Sequence, residues 1–205
     1  MAEKAFNTTY KDPNAAVQHF ISYLNWCHDE WNKDRPVVAP YVPVIQSSGY
    51  GKTRMIAKVA QKVHVLYICK RSENSTGFPP ASPQIDWVLN QLVNSDPSLE
   101  NFSVIMLAVA EEIRSRKLNA SEFWKMQIED RSKSEEFWNC IKSAYDCYFN
   151  DENSRNAAKA AIEDVNFLTR DTIGADIGRI QLTCCLDEAH ELIDEAMGAN
   201  CSLKF

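Results

Sequence analysis

A three-layer α/β fold carrying a large helical insertion is the architecture this sequence predicts, as a single domain over residues 1–205. Three observations lead there. A short apolar run, Val42 to Ile45, enters a glycine-bearing turn and then an amphipathic helical pattern. A second apolar run, Ile180 to Leu186, ends in two carboxylates, Asp187 and Glu188. Between them, residues 84–168 carry mainly helical periodicity.

Asp12-Pro13 opens an N-terminal helical segment within 10–35, with Asp as cap and Pro in the first turn. Val17, Phe20, Ile21, Leu24 and Trp31 recur at helical spacing and should face the core. Pro36, Pro40 and Pro43 punctuate an extended stretch that leads into the strand at 42–45. A helix is predicted from Lys52 to about Gln61, with Met55, Ile56, Val59 and Ala60 inward. Val63 to Cys69 reads as a strand, and Arg71 to Pro83, rich in Ser, Asn, Gly and Pro, as a loop. Helices follow over 84–94, 98–116, 121–149 (one or two) and 154–168. Ser121 and Ser134 each precede a Glu-Phe-Trp or Glu-Glu-Phe-Trp run and read as two capped helix starts. Residues 179–186 form the last strand, and 188–197 can be helical.

Composition bounds the function classes. A hydrophobic fraction of 45% and a charged fraction of 24% are ordinary for a globular chain. The net charge of −6 gives no support to a broad nucleic-acid-coating surface. No run approaches the roughly 18 apolar residues of a membrane span, so no membrane partner is expected. Met-Ala-Glu-Lys starts the chain without an apolar signal core. The seven cysteines, none in a Cys-x-x-Cys pair, read as reduced thiols. The expected location is therefore intracellular, in cytoplasm or nucleus.

Gln46-Ser47-Ser48-Gly49-Tyr50-Gly51-Lys52-Thr53 has the character of a phosphate-binding loop. Phosphate oxygens need donors converging from one side, which a tight turn entering a helix N-terminus supplies. Gly49 and Gly51 let the backbone curl, Lys52 would reach the β and γ phosphates, and the Thr53 hydroxyl would ligate magnesium. Ser48, Gly49, Tyr50, Gly51, Lys52, Thr53 and Arg54 are the expected nucleotide contacts. The usual pattern has glycine where Gln46 stands, which alters the loop entry and leaves the Gly-Lys-Thr core intact. Such a turn also arises by chance before a helix, but the preceding strand favours the functional reading.

At the acidic strand end, Asp187 would hold magnesium, mostly through water, and Glu188 would polarise the attacking water. Asp-Glu at a helix N-terminus is also ordinary capping; a Gly-Lys-Thr loop upstream shifts the balance. This pairing suits ATPases of the additional-strand class better than GTPases. His190 could couple the γ-phosphate state to neighbouring loops.

Ser47-Ser48-Gly49-Tyr50-Gly51-Lys52-Thr53-Arg54, Gly77-Phe78-Pro79-Pro80 and Leu186-Asp187-Glu188-Ala189-His190 together resemble the P-loop NTPase domain of Crinkler-type fungal and oomycete proteins. The resemblance spans roughly residues 40–192 and is carried by these islands, of which Gly-Phe-Pro-Pro is the most particular. It implies binding of ATP with Mg2+, and action inside a host cell or its nucleus. Asp-Glu-Ala-His is also similar to helicases, but a helicase needs a second core domain for which there is no room.

In the additional-strand class the strand order is commonly 5-1-4-3-2. Residues 191–205 offer one helix and a tail, so the core is expected to be incomplete at the C-terminus. A truncated chain, a rearranged sheet pairing 42–45 directly with 180–186, or a second copy lending an edge would each account for this. The polar residue that usually ends the fourth strand and a downstream arginine finger are not seen; losing such an arginine can cost on the order of 10³–10⁵ in rate. ATP binding is a safer expectation than fast hydrolysis.

Other constellations favour structural readings. Cys27-His28 and His64 fit no closed zinc spacing. Phe123, Trp124, Phe137, Trp138, Tyr145, Tyr148 and Phe149 could stack bases, but at helical spacing they read as core. Arg54, Lys58, Lys62, Lys70 and Arg71 read as a solvated basic face, and Arg114, Arg116 and Lys117 as a helix C-terminal cluster.

The sequence thus predicts a slow ATPase domain binding ATP or ADP with Mg2+. Lys52 and Glu188 would be catalytic, and Thr53 and Asp187 would hold the metal. The alternative is a nucleotide-gated module that recruits a protein partner, or a second copy, through its helical insertion without useful turnover. A third reading is a remnant that binds no nucleotide.

Overall fold

A computed structural model describes residues 9–12, 15–31, 51–71, 77–93, 99–153 and 182–187. In chain order these form α1 (Ala16–Trp31), α2 (Lys52–Val59), β1 (His64–Cys69), α3 (Ile85–Val93), α4 (Leu99–Ser115), α5 (Ala120–Ile128), α6 (Arg131–Asn150) and β2 (Leu182–Asp187). The described part is mostly helical, around a sheet of two parallel strands. The strand expected at 42–45 and the helices expected at 154–168 and 188–197 lie outside the described residues.

Parallel pairing sets His64 beside Leu182 and Cys69 beside Asp187, so both strands end at the same edge. Side chains alternate along β1, and each set meets its own apolar cluster. Leu66 and Ile68 pack with Val88 of α3, Ile105 and Val109 of α4, Phe123 of α5 and Phe137 and Trp138 of α6. Val65, Tyr67 and Cys69 pack with Val17 and Ile21 of α1, Ile56 and Val59 of α2, and Trp124 of α5. Helices therefore cover both faces of the pair. The apolar run Val104 to Ala110 is the buried heart of α4, where Val109 is fully enclosed.

The outer edge of β1 is closed by side chains. Residues 65, 67 and 69 turn their backbone groups away from β2. Gln127 of α5 accepts from the Tyr67 N–H (3.0 Å) and donates to the Val65 carbonyl (3.0 Å), standing in for a neighbouring strand. Ser82 continues the substitution: its hydroxyl accepts from the Cys69 N–H (3.0 Å) and donates to the Tyr67 carbonyl (3.1 Å), and its own N–H donates to the Cys69 carbonyl (3.0 Å). An edge so satisfied offers nothing to a further strand.

Element boundaries differ from the sequence expectation in instructive ways. The helix opened by Asp12 begins at Ala16. Asp12 Oδ1 accepts from the Val17 N–H across Ala15, whose φ of +54° breaks helical geometry between them. The starts expected at Ser121 and Ser134 lie earlier. Asn119 caps α5 in a reciprocal box with Glu122, and Asp130 caps α6 through the Lys133 N–H. Asn, Asp and Ser cap about equally well by type; the extended backbone that a cap requires is found at Asn119 and Asp130. Ser134 is instead buried inside the first turns of α6. The aromatic group is core as expected: Phe123 and Phe137 are fully enclosed and meet edge to face at 5.6 Å. The described cysteines 69, 140, 147, 184 and 185 are free thiols.

Candidate functional site

The C-terminal edge of the parallel pair faces the N-terminus of α2. Open parallel sheets bind ligands at this kind of edge. Gly51 precedes α2 with φ +83° and ψ +20°, a left-handed conformation that a side chain would strain. Its carbonyl accepts the Met55 N–H at 2.9 Å, so the helix begins at once from the glycine. Ile56, Val59 and Ala60 anchor the inner face of α2, which fixes where its first turn stands relative to β1.

Thr53, in that first turn, donates from Oγ1 to Asp187 Oδ2 at 3.3 Å, joining positions 134 residues apart. The same carboxylate oxygen accepts a hydrogen bond from the Tyr67 hydroxyl. Asp187 also holds the chain after β1, accepting the Lys70 N–H at its carbonyl at 3.3 Å. Arg54 lies over the ring of Tyr10, with 5.6 Å from guanidinium carbon to ring centre. The Tyr10 ring in turn lies 4.0 Å from the position a Gly51 Cβ would take. An N-terminal aromatic thus flanks the glycine turn.

Of the residues expected at the site, Gly51, Lys52, Thr53 and Arg54 begin one helix, and Asp187 meets them through Thr53. Ser48, Gly49, Tyr50, Glu188 and His190 lie outside the described residues. The Gly77-Phe78-Pro79-Pro80 segment lies beside the end of β1. A Cβ on Gly77 would fall 1.3 Å from Arg71 Nη1, so a side chain there would require the guanidinium to move.

Thr53 Oγ1 and Asp187 Oδ2 are one neutral and one anionic hard oxygen side by side. Mg2+ accepts such a pair when waters and phosphate oxygens fill its remaining positions. No group of three or more His, Cys, Asp or Glu able to hold a metal occurs among the described residues. Two such oxygens make a partial ligand set for a hard cation. Burial pushes the Cys69 thiol up, and that of Cys184 to about 12, which disfavours thiolate chemistry at these two residues. His64 is a structural histidine, its Nε2 2.9 Å from the Leu118 carbonyl. No helix among the described residues is long and apolar enough to cross a membrane.

Sequence reasoning missed Tyr67, Tyr10, Gln127 and Ser82. Tyr67 carried a faint signal, a hydroxyl within the apolar run Val-His-Val-Leu-Tyr-Ile-Cys. Burial, with Cys69 and Asp187 adding to it, pushes the Tyr67 phenol well above its ordinary value. The hydroxyl therefore stays a donor to Asp187.

A family model matches residues 12–205, described as a domain of unknown function (DUF8735), and the chain belongs to that family. No curated protein and no solved structure matches it.

Proposed function

We propose that this member of the DUF8735 family binds a nucleoside triphosphate, ATP by preference, with Mg2+, and hydrolyses it slowly. The observation that carries the reading is the Thr53–Asp187 hydrogen bond. It joins the residue after Gly-Lys to the acidic end of a distant strand, the two places from which P-loop proteins hold magnesium. The left-handed Gly51 and the parallel pairing of the strand after α2 with the acidic strand add support. In the 5-1-4-3-2 order those two strands are neighbours, and the covered outer edge of β1 suits a terminal strand. The islands resembling Crinkler-type NTPase domains give the same reading.

In this scheme Lys52 reaches the β and γ phosphates, and the first N–H groups of α2 receive their oxygens. Thr53 and Asp187 would hold the metal, which would supply charge neutralisation for the phosphates. Glu188 directs a water toward the γ phosphorus.

Calorimetry with Mg-ATP tests the reading. Micromolar binding that disappears in Lys52→Ala is the expected result. A titration without heat in the parent chain would refute it. A nucleotide-gated interaction module is the second reading, favoured by the way Tyr67 ties Asp187 to Trp124 and Gln127 of α5. Nucleotide binding without phosphate release would select it.

A further inference from the structure

Asp187 Oδ2 has two donors, Thr53 from the glycine-turn helix and Tyr67 from the neighbouring strand. Thr53 belongs to the motif, whereas Tyr67 belongs to none. Its position is nevertheless tightly determined. The residue is 1% exposed. Its ring stands edge-on to Trp124 with centroids 5.3 Å apart. Its N–H is held by Gln127 and its carbonyl by Ser82. In register it lies beside Cys185, two residues before Asp187 on the same face of the sheet, so the phenol runs along the strand direction to the carboxylate.

We propose that Tyr67 is a positioning residue: its hydroxyl fixes the Asp187 carboxylate in the orientation that receives a divalent cation beside Thr53. This rests on the nucleotide-binding reading and assigns that site a residue beyond its motifs. The terminal torsion of an aspartate is broad and roughly two-fold, so the carboxylate needs an outside constraint to present one oxygen to a metal. Thr53 alone is a weak constraint: its hydrogen bond, at 3.3 Å, is long for two oxygens. Partners of this kind behind a metal ligand typically set affinity by about 10–100-fold.

Tyr67→Phe removes one oxygen and keeps the ring that Trp124 packs against. The full-length chain is titrated with ATP in EDTA and at a series of Mg2+ concentrations, for the parent and for Tyr67→Phe. The expected result is a rise of about tenfold in the Mg2+ concentration giving half-maximal enhancement of ATP binding, with metal-free ATP affinity unchanged. A general loosening of the core would weaken both together, and that outcome, like an unchanged Mg2+ requirement, overturns the proposal. In an Asp187→Asn background, where the carboxylate is gone, Tyr67→Phe should add nothing to the Mg2+ requirement; an equal further rise would also overturn it. Failure of the parent chain to bind ATP at any Mg2+ concentration removes the nucleotide reading and this assignment with it. Mg2+-dependent binding lost in Lys52→Ala but indifferent to Tyr67→Phe removes the assignment alone.

Discussion

Lys52 and Arg54 occupy the first turn of a helix whose macrodipole disfavours cations there. A charge so placed typically costs about 0.3–1 kcal/mol at low salt. The turn itself carries no acidic residue. Arg54 recovers part of the cost over the Tyr10 ring, a contact worth about 0.5–1 kcal/mol at exposed sites. A polyanion seated on the same turn would reverse the sign for both residues. The same accounting at residue scale gives Glu188 a separable role. Under the proposed mechanism, Glu188→Gln should still bind Mg-ATP while phosphate release falls by about 10²–10⁴, the usual contribution of a general base. Rapid-quench measurement of phosphate reads this directly, and unchanged turnover would remove Glu188 from the mechanism.

Among the elements, β1 depends on α5 for more than apolar contact. Gln127 is 7% exposed, and its amide satisfies one donor and one acceptor of the strand edge. Gln127→Ala leaves both groups without that partner, each at about 1–3 kcal/mol. Urea denaturation should show a loss of at least that order. Gln127→Glu sets a buried carboxylate against the Val65 and Phe123 carbonyls and should cost at least as much as the alanine. A loss below about 0.5 kcal/mol in Gln127→Ala would mean that water replaces the amide. This bond pattern also marks the limit of what could be read beforehand. The inner face of α2, the span of β1 and the buried middle of α4 follow from local periodicity, because apolar spacing records which way a side chain must face. The first turn of α2 was legible from Gly-Lys-Thr, and the end of β2 from its carboxylates. Their meeting at Thr53 and Asp187 was anticipated only in that both motifs assign their residue to one magnesium. Gln127, Ser82 and Tyr67 act on partners 62, 15 and 120 positions away. A single glutamine on an otherwise apolar helix face carries no mark of the strand edge it will complete. The caps of α5 and α6 are hard to place for a related reason: Ser121 and Ser134 suit a cap as well by type as Asn119 and Asp130, and local sequence does not say where the helix starts.

For the whole molecule, the sheet separates two apolar clusters, with Tyr67 and Trp124 in the one facing α1 and α2. A ligand held at the shared C-terminal edge touches α2, β1 and β2 together, so its binding energy should appear in global stability. At a Mg-ATP concentration about 100 times Kd the gain is about 2.7 kcal/mol. For a chain of this size that corresponds to a rise in Tm of roughly 5–10 °C. Thermal melts should show it in the parent chain and not in Lys52→Ala; equal shifts in both would place the ligand elsewhere.

The closed side of β1 gives the sheet a direction of growth. With Gln127 and Ser82 filling one bank, β2 is the strand through which the described sheet can widen. Any newcomer aligned parallel to β2 brings its own C-terminal residue to the threshold where Asp187 stands. Widening the sheet and furnishing its edge are then a single event: whichever segment supplies the next strand also decides which side chain stands beside Asp187.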